Sequence, residues 1–162
     1  MFKKIAISAP VLALAFVSSA AMAVPQTHSV QVVADIPGTD FYVQPVEHDT
    51  VTKPQKLIWN DTTFKLEGIS RDFKAKSAVA AGPAIKATLL APAVMTSGTE
   101  EIQLDVKFNS VALTLGSEVD VVPAGGATTE IIAALSITPI EPGAGYKEGN
   151  YTGNVRVMFD AP

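Results

Sequence analysis

The sequence predicts an all-β chain folded as one β-sandwich. Three observations lead there. Apolar residues recur at every second position in several short runs, the period of a strand with one buried face. Gly, Pro, Asn and Ser punctuate those runs at short intervals, as turns between strands do. No segment carries a convincing helical period. Cysteine is absent, so burial and sheet hydrogen bonds must hold the domain without disulfides.

The first residues read as a secretory signal rather than as part of the fold. Lys3 and Lys4 give a positive start, Ile5 to Val17 is mainly apolar, and Ala21-x-Ala23 supplies the small residues of a cleavage site. Cleavage is expected between Ala23 and Val24. The apolar run is short for a membrane span and Pro10 interrupts it. What remains, Val24 to Pro162, is about 140 residues, enough for one domain with a real core. It keeps all 16 acidic residues and loses two of the 12 basic ones, for a formal charge of about −6. That charge argues against nucleic acid and anionic membrane surfaces as partners.

Thr27 to Pro37 follows directly. Val30, Val32, Ala34 and Ile36 fall on one face of a strand, with Gln31, Val33 and Asp35 on the other. Pro37-Gly38 turns the chain. Phe41-Tyr42-Val43 is a short strand closed by Pro45. Lys56 to Trp59 and Thr62 to Leu66 form a hairpin about Asn60-Asp61, with Trp59 expected in the core. Ser70 to Ser77 is read as a strand and Ala84 to Leu90 as a buried one. Glu101 to Asn109 has the clearest alternation, with Ile102, Leu104, Val106 and Phe108 facing in. Asn109-Ser110 is a tight hairpin loop into Val111 to Leu115, although Gly would be commoner at its second position. Val119 to Val122 is brief, and Ala124 to Ala127 is a loop. Glu130 to Thr138 places Ile131, Ala133, Leu135 and Ile137 on one face. After the Pro/Gly-rich connection Pro139 to Gly149, the last strand runs from Tyr151 to Phe159, with Tyr151, Val155, Val157 and Phe159 on one face. Seven or eight strands without helices imply a sandwich of immunoglobulin-like type.

Little in the chain points to catalysis. His28 and His48 lack metal spacing, and without cysteine a zinc site is not expected. Neither a Gly-x-Ser-x-Gly elbow nor a Ser-x-x-Lys pair occurs. Gly143-Ala144-Gly145 starts a dinucleotide-like pattern, but Glu148 stands where a third glycine belongs. The acidic pairs Glu100-Glu101 and Glu118/Asp120 read as solvated strand ends. No enzyme, metal or cofactor is expected.

The leading strand Val30-x-Val32-x-Ala34-x-Ile36 and the ending Gly149-Asn150-Tyr151-Thr152-Gly153-Asn154-Val155 carry a resemblance. The chain resembles the major pilins of alpha-clade chaperone–usher fimbriae, of the coli-surface-antigen, colonisation-factor and cable types. Lys56-Leu57 and the strands at 102–108 and 130–137 fall in the same order. The resemblance implies an incomplete immunoglobulin-like sandwich that lacks its final strand and is completed by donor-strand exchange. It divides the chain into a signal at 1–23, a donor strand at 24–37 and a pilin domain at 38–162. It makes Val30, Val32, Ala34 and Ile36 the donor knobs, and Tyr151, Val155, Val157 and Phe159 part of the acceptor groove. Implied partners are identical subunits, a periplasmic chaperone, an outer-membrane usher and a tip adhesin, with a host receptor left open. The expected role is the shaft subunit of an adhesive surface fimbria. The alternative is a secreted or periplasmic β-sandwich that binds carbohydrate or protein.

Overall fold

The strand Glu100–Phe108 is an interior strand of the larger sheet, hydrogen-bonded through its backbone on both edges. The computed structural model describes residues 40–78 and 82–162. The expected strand at Thr27 to Pro37 lies outside them, as does the signal. The described elements, in order, are β1 (Phe41–Pro45), α1 (Asp49–Thr52), β2 (Trp59–Asn60), β3 (Lys65–Leu66), β4 (Ile69–Ser77), β5 (Ile85–Leu89), β6 (Val94–Ser97), β7 (Glu100–Phe108), β8 (Val111–Ala112), β9 (Val119–Val122), β10 (Ile131–Pro139), β11 (Thr152–Gly153) and β12 (Val157–Asp160).

The described strands pair antiparallel in three sheets, and a parallel bridge joins Leu89 to Leu115. The larger has the order β1-β4-β10-β7-β6-β11, with β8 also on β7. The smaller has the order β12-β5-β9, and β2-β3 is a separate hairpin. The two main sheets enclose one core. From the large sheet come Phe73, Ala75, Val106, Phe108 and Ala133; from the small one come Ile85, Ala87, Leu89, Val121 and Val122. Aromatic rings bridge the layers: Phe108 lies 5.9 Å from Phe73, its neighbour in the large sheet, and 4.7 Å from Phe159 of the small one. Both are tilted or edge-on contacts, the arrangement that ring quadrupoles favour.

Local chemistry sets several turns. Asn109 and Ser110 have φ of 49° and 67°, so both central residues of the β7–β8 hairpin are left-handed, as a type I′ turn requires. Asn109 Nδ2 donates to the Val121 carbonyl at 2.7 Å, which secures the turn against β9. In the β2–β3 hairpin, Asn60 Oδ1 accepts from the Thr62 and Thr63 amides at 2.9 and 3.0 Å. This side-chain turn leaves only two residues of each arm paired, shorter than the sequence suggests.

Four expectations are corrected. The last strand is not continuous. Thr152 and Gly153 pair with Thr96 and Met95 in the large sheet, whereas Val157 to Asp160 pair with Leu89 to Lys86 in the small one. Asn154 to Arg156 cross between the layers. Gly153 permits the first half, because a Cβ there would meet the Val94 carbonyl oxygen and lie 3.0 Å from the Met95 Cα. β6 was unexpected as a strand; it is formed by its register on β7, Met95 opposite Ile102. α1 is a single helical turn, with Lys53 Nζ 2.6 Å from Asp49. Trp59 is not core: it is 41% exposed and meets Tyr146 edge-on at 5.6 Å.

A candidate subunit-binding edge

β12 is positioned by the last apolar residues of the chain. Val157 sits opposite Leu89 and Phe159 opposite Ala87, so both point at the core while Met158 and Asp160 point out. Val155, in the crossing segment, keeps the same phase. The amide of Leu90 donates to the Arg156 carbonyl at 2.8 Å and extends the pairing backward by one bond. Val155, Val157 and Phe159 all pack against the buried cluster, yet all three remain half-buried.

Leu104 of β7 and Leu135 of β10 are half-buried too, but both of those strands are paired on two edges. β12 is the terminal strand of its sheet, paired on one side only with β5. Among the described residues no strand covers its other edge. Within the described residues that edge has no backbone partner, and with its half-covered side chains it is the kind of surface that templates another strand. β1 is one of the two terminal strands of the large sheet, β11 being the other. Its inner residues Phe41 and Val43, opposite Ser77 and Ala75, are likewise half-buried against the core. On its outward face Tyr42 Oη donates to Glu130 Oε2 at 2.7 Å, and Lys74 Nζ lies 3.6 Å from the same carboxylate. That hydrogen bond, with smaller effects of burial and the negative charge, raises the Tyr42 hydroxyl above its ordinary pKa. The network ties the edge strand to β4 and β10 and leaves its inner face open.

The expected groove residues therefore do not form one group. Val155, Val157 and Phe159 come together. Tyr151 lies before the crossing, on the large-sheet side, where its hydroxyl donates to the Lys147 carbonyl at 3.2 Å. The sequence reading placed no groove residue on β1, although Phe41-x-Val43 has the alternation that signals one. The donor residues Val30, Val32, Ala34 and Ile36, and the cleavage position Ala23/Val24, lie outside the described residues. Among the described residues, no group of three or more His, Asp or Glu side chains could hold a metal ion.

Among the described residues, the sandwich has no strand on one edge of β12. The family model described as the CS1 type fimbrial major subunit matches residues 26–160. The chain belongs to that family. This pilin is thus a structural shaft subunit of a surface fimbria and polymerises with copies of itself. The free-standing binding module gives way to that role. A solved structure, that of the CooA pilin subunit from enterotoxigenic Escherichia coli, is similar over 73% of this chain and 86% of the other. Its TM-score is 0.55 at 18% sequence identity, a likeness of fold. No curated protein matches the chain significantly.

Proposed function

We propose that this pilin polymerises by donor-strand exchange along the open edge of β12. The strand containing Val30, Val32, Ala34 and Ile36 inserts beside β12 of the neighbouring subunit. Its main chain completes the edge ladder, and its alternate side chains cover Val155, Val157 and Phe159. Phe41 and Val43 are candidates for the opposite wall. The single observation carrying the reading is the half-burial of Val155, Val157 and Phe159 along and just before a strand that, among the described residues, is paired on one side.

The same chemistry gives the assembly order. An open apolar edge exposed in the periplasm invites aggregation, so a periplasmic chaperone covers it first. An outer-membrane usher exchanges the chaperone for the next subunit, and a tip adhesin ends the fibre. Residues 1–23 serve as the export signal and are removed between Ala23 and Val24. The role is structural and requires no catalysis.

Two measurements test the scheme. Fimbriae kept unboiled on a denaturing gel should give a ladder of oligomers that collapses to one band on boiling. N-terminal sequencing of the subunit should begin at Val24. A single unboiled band, or a fimbrial subunit retaining residues 1–23, would defeat the mechanism.

A further inference from the structure

Three of the four tryptophan and tyrosine residues of the chain line one pocket away from β12 and β1. Trp59 comes from the β2–β3 hairpin, and Tyr146 and Tyr151 come from the connection before β11. Leu66 and Ile102 form apolar lining, and Glu148 brings a carboxylate. The volume is about 390 Å³.

The pocket is held in shape. Lys65 Nζ lies 2.9 Å from Glu141 and ties the hairpin to the start of the connection. Lys147 Nζ lies 2.8 Å from Glu100 and ties its end to β7. The Tyr151 hydroxyl closes the last turn on the Lys147 carbonyl. A Cβ at Gly149 would lie 2.6 Å from Ser97 Oγ and 3.2 Å from the Tyr151 ring, so a larger residue there would have to turn the Ser97 side chain aside. Burial, helped by the charge of Glu141, raises the Tyr146 hydroxyl above its ordinary pKa and keeps it protonated as a donor.

The ligand chemistry follows from the lining. Aromatic faces want C–H surface, while an indole N–H, the Tyr146 hydroxyl and a carboxylate want hydroxyl partners. A hydrocarbon ligand would strip water from those polar groups without replacing their hydrogen bonds. An anionic ligand would meet Glu148 while Lys147 is engaged with Glu100. A neutral sugar offers C–H groups on its ring face and hydroxyls at its rim. The volume lies at the lower end of small-ligand pockets and suits one or two such rings. We propose that the Trp59–Tyr146–Tyr151 pocket is a saccharide-binding site on the body of the shaft, taking one or two neutral sugar units. Repetition along the polymer would turn weak single sites into avid binding. The proposal is independent of how the subunits join.

Trp59 is the sole tryptophan, so its fluorescence reports on this pocket alone. Assembled fimbriae are titrated with methyl β-galactoside, methyl β-glucoside, methyl α-mannoside, N-acetylglucosamine and lactose, and with sialyllactose as a charged counterpart. At least one neutral sugar should shift the emission saturably and protect Trp59 from acrylamide quenching. Tyr146→Ala should weaken that sugar by at least about tenfold while fimbriae still form by electron microscopy. Tyr151→Ala gives the same reading should Tyr146→Ala not assemble. Val51→Ala, at an exposed position of α1 outside the pocket lining, should leave affinity unchanged. The proposal is overturned if no neutral sugar acts on the wild-type fimbriae, if sialyllactose alone binds, or if Trp59 is already shielded because a second copy covers it. The wild-type titration depends on no variant.

Discussion

Strands β7 and β12 carry the same alternation of apolar and polar residues but bury it to different depths. Ile102, Val106 and Phe108 of β7 are 1%, 2% and 0% exposed, with Leu104 between them half-buried, whereas neither Val157 nor Phe159 of β12 is fully buried. Composition does not separate them, since Phe108 and Phe159 touch ring to ring. Pairing differs: β7 has β10 on one edge and β6 and β8 on the other, while among the described residues β12 pairs with β5. Period 2 in a sequence therefore tells which face a strand buries and not whether the cover is present within the same chain.

The largest expected effect tests that comparison directly. Phe108→Ala should cost the isolated subunit about 3–5 kcal/mol, the range for emptying a fully packed aromatic site. Phe159→Ala should cost roughly half as much there, because part of the ring already faces solvent. In the polymer its cost should rise toward that of Phe108→Ala, because the incoming strand completes the packing. Denaturant melts of subunit and fimbriae would show it; equal costs for Phe159→Ala in both forms would mean that nothing covers β12 on assembly.

Changing the donor side should have the next largest effect. Val32→Arg would carry an unpaired charge into an apolar groove at several kcal/mol, so fimbriae should be lost. Gln31→Arg, on the opposite face, should assemble normally. Fimbrial yield by electron microscopy decides between them. Loss of both variants, or of neither, would show that the strand does not work through one buried face.

Much of this was legible beforehand, and the misses share a cause. The alternations at Ile102 to Phe108 and Ile131 to Ile137 predicted β7 and β10, because each strand is long enough for the period to repeat. The pair Asn109-Ser110 predicted its turn. β6 escaped because Val94-Met95-Thr96-Ser97 has one large inward residue, Met95, and owes its strand state to β7. The break at Asn154 escaped because the crossing keeps phase, so Val155, Val157 and Phe159 alternate as an unbroken strand would. The aromatic pocket escaped because Trp59 and Tyr146 are distant in sequence and meet through a loop. Its local signal was that Trp59 and Tyr146 sit among turn residues rather than within an alternating run. What short-range pattern encodes was readable; what depends on which segments meet was not.

A third expectation would erase the difference between the two strands. A copy of Thr27 to Pro37 joined after Pro162 through a short flexible linker can fold back antiparallel to β12 by a hairpin. Linking makes the closure intramolecular and raises the effective concentration of the strand. In a chain lacking residues 24–37, the copy should give a soluble monomer that melts higher than the same chain without it. Phe159→Ala in that background should then cost nearly as much as Phe108→Ala. If the shortened chain already melts cooperatively at the same temperature without the copy, β12 was never short of a partner.

The smallest effect concerns the end of β7, where cover is complete and only the backbone is strained. Ser110 holds φ of 67°, a conformation that costs a residue with a Cβ about 1–2 kcal/mol relative to glycine. Ser110→Gly removes that strain and restores the Asn-Gly pair that type I′ turns prefer. Glycine also gives the unfolded chain more freedom, which returns about 0.5–1 kcal/mol of the gain. The net stabilisation should be about 0.5–1 kcal/mol, a few degrees of melting temperature for a domain of this size. Because Asn109 Nδ2 still holds the Val121 carbonyl, the turn should keep its geometry. The gain should appear equally in subunit and polymer, unlike that of any change at β12. A Ser110→Gly effect that grew on assembly would show the β7–β8 turn to be part of the subunit interface, and the contrast between a finished strand and an unfinished one would have to be redrawn.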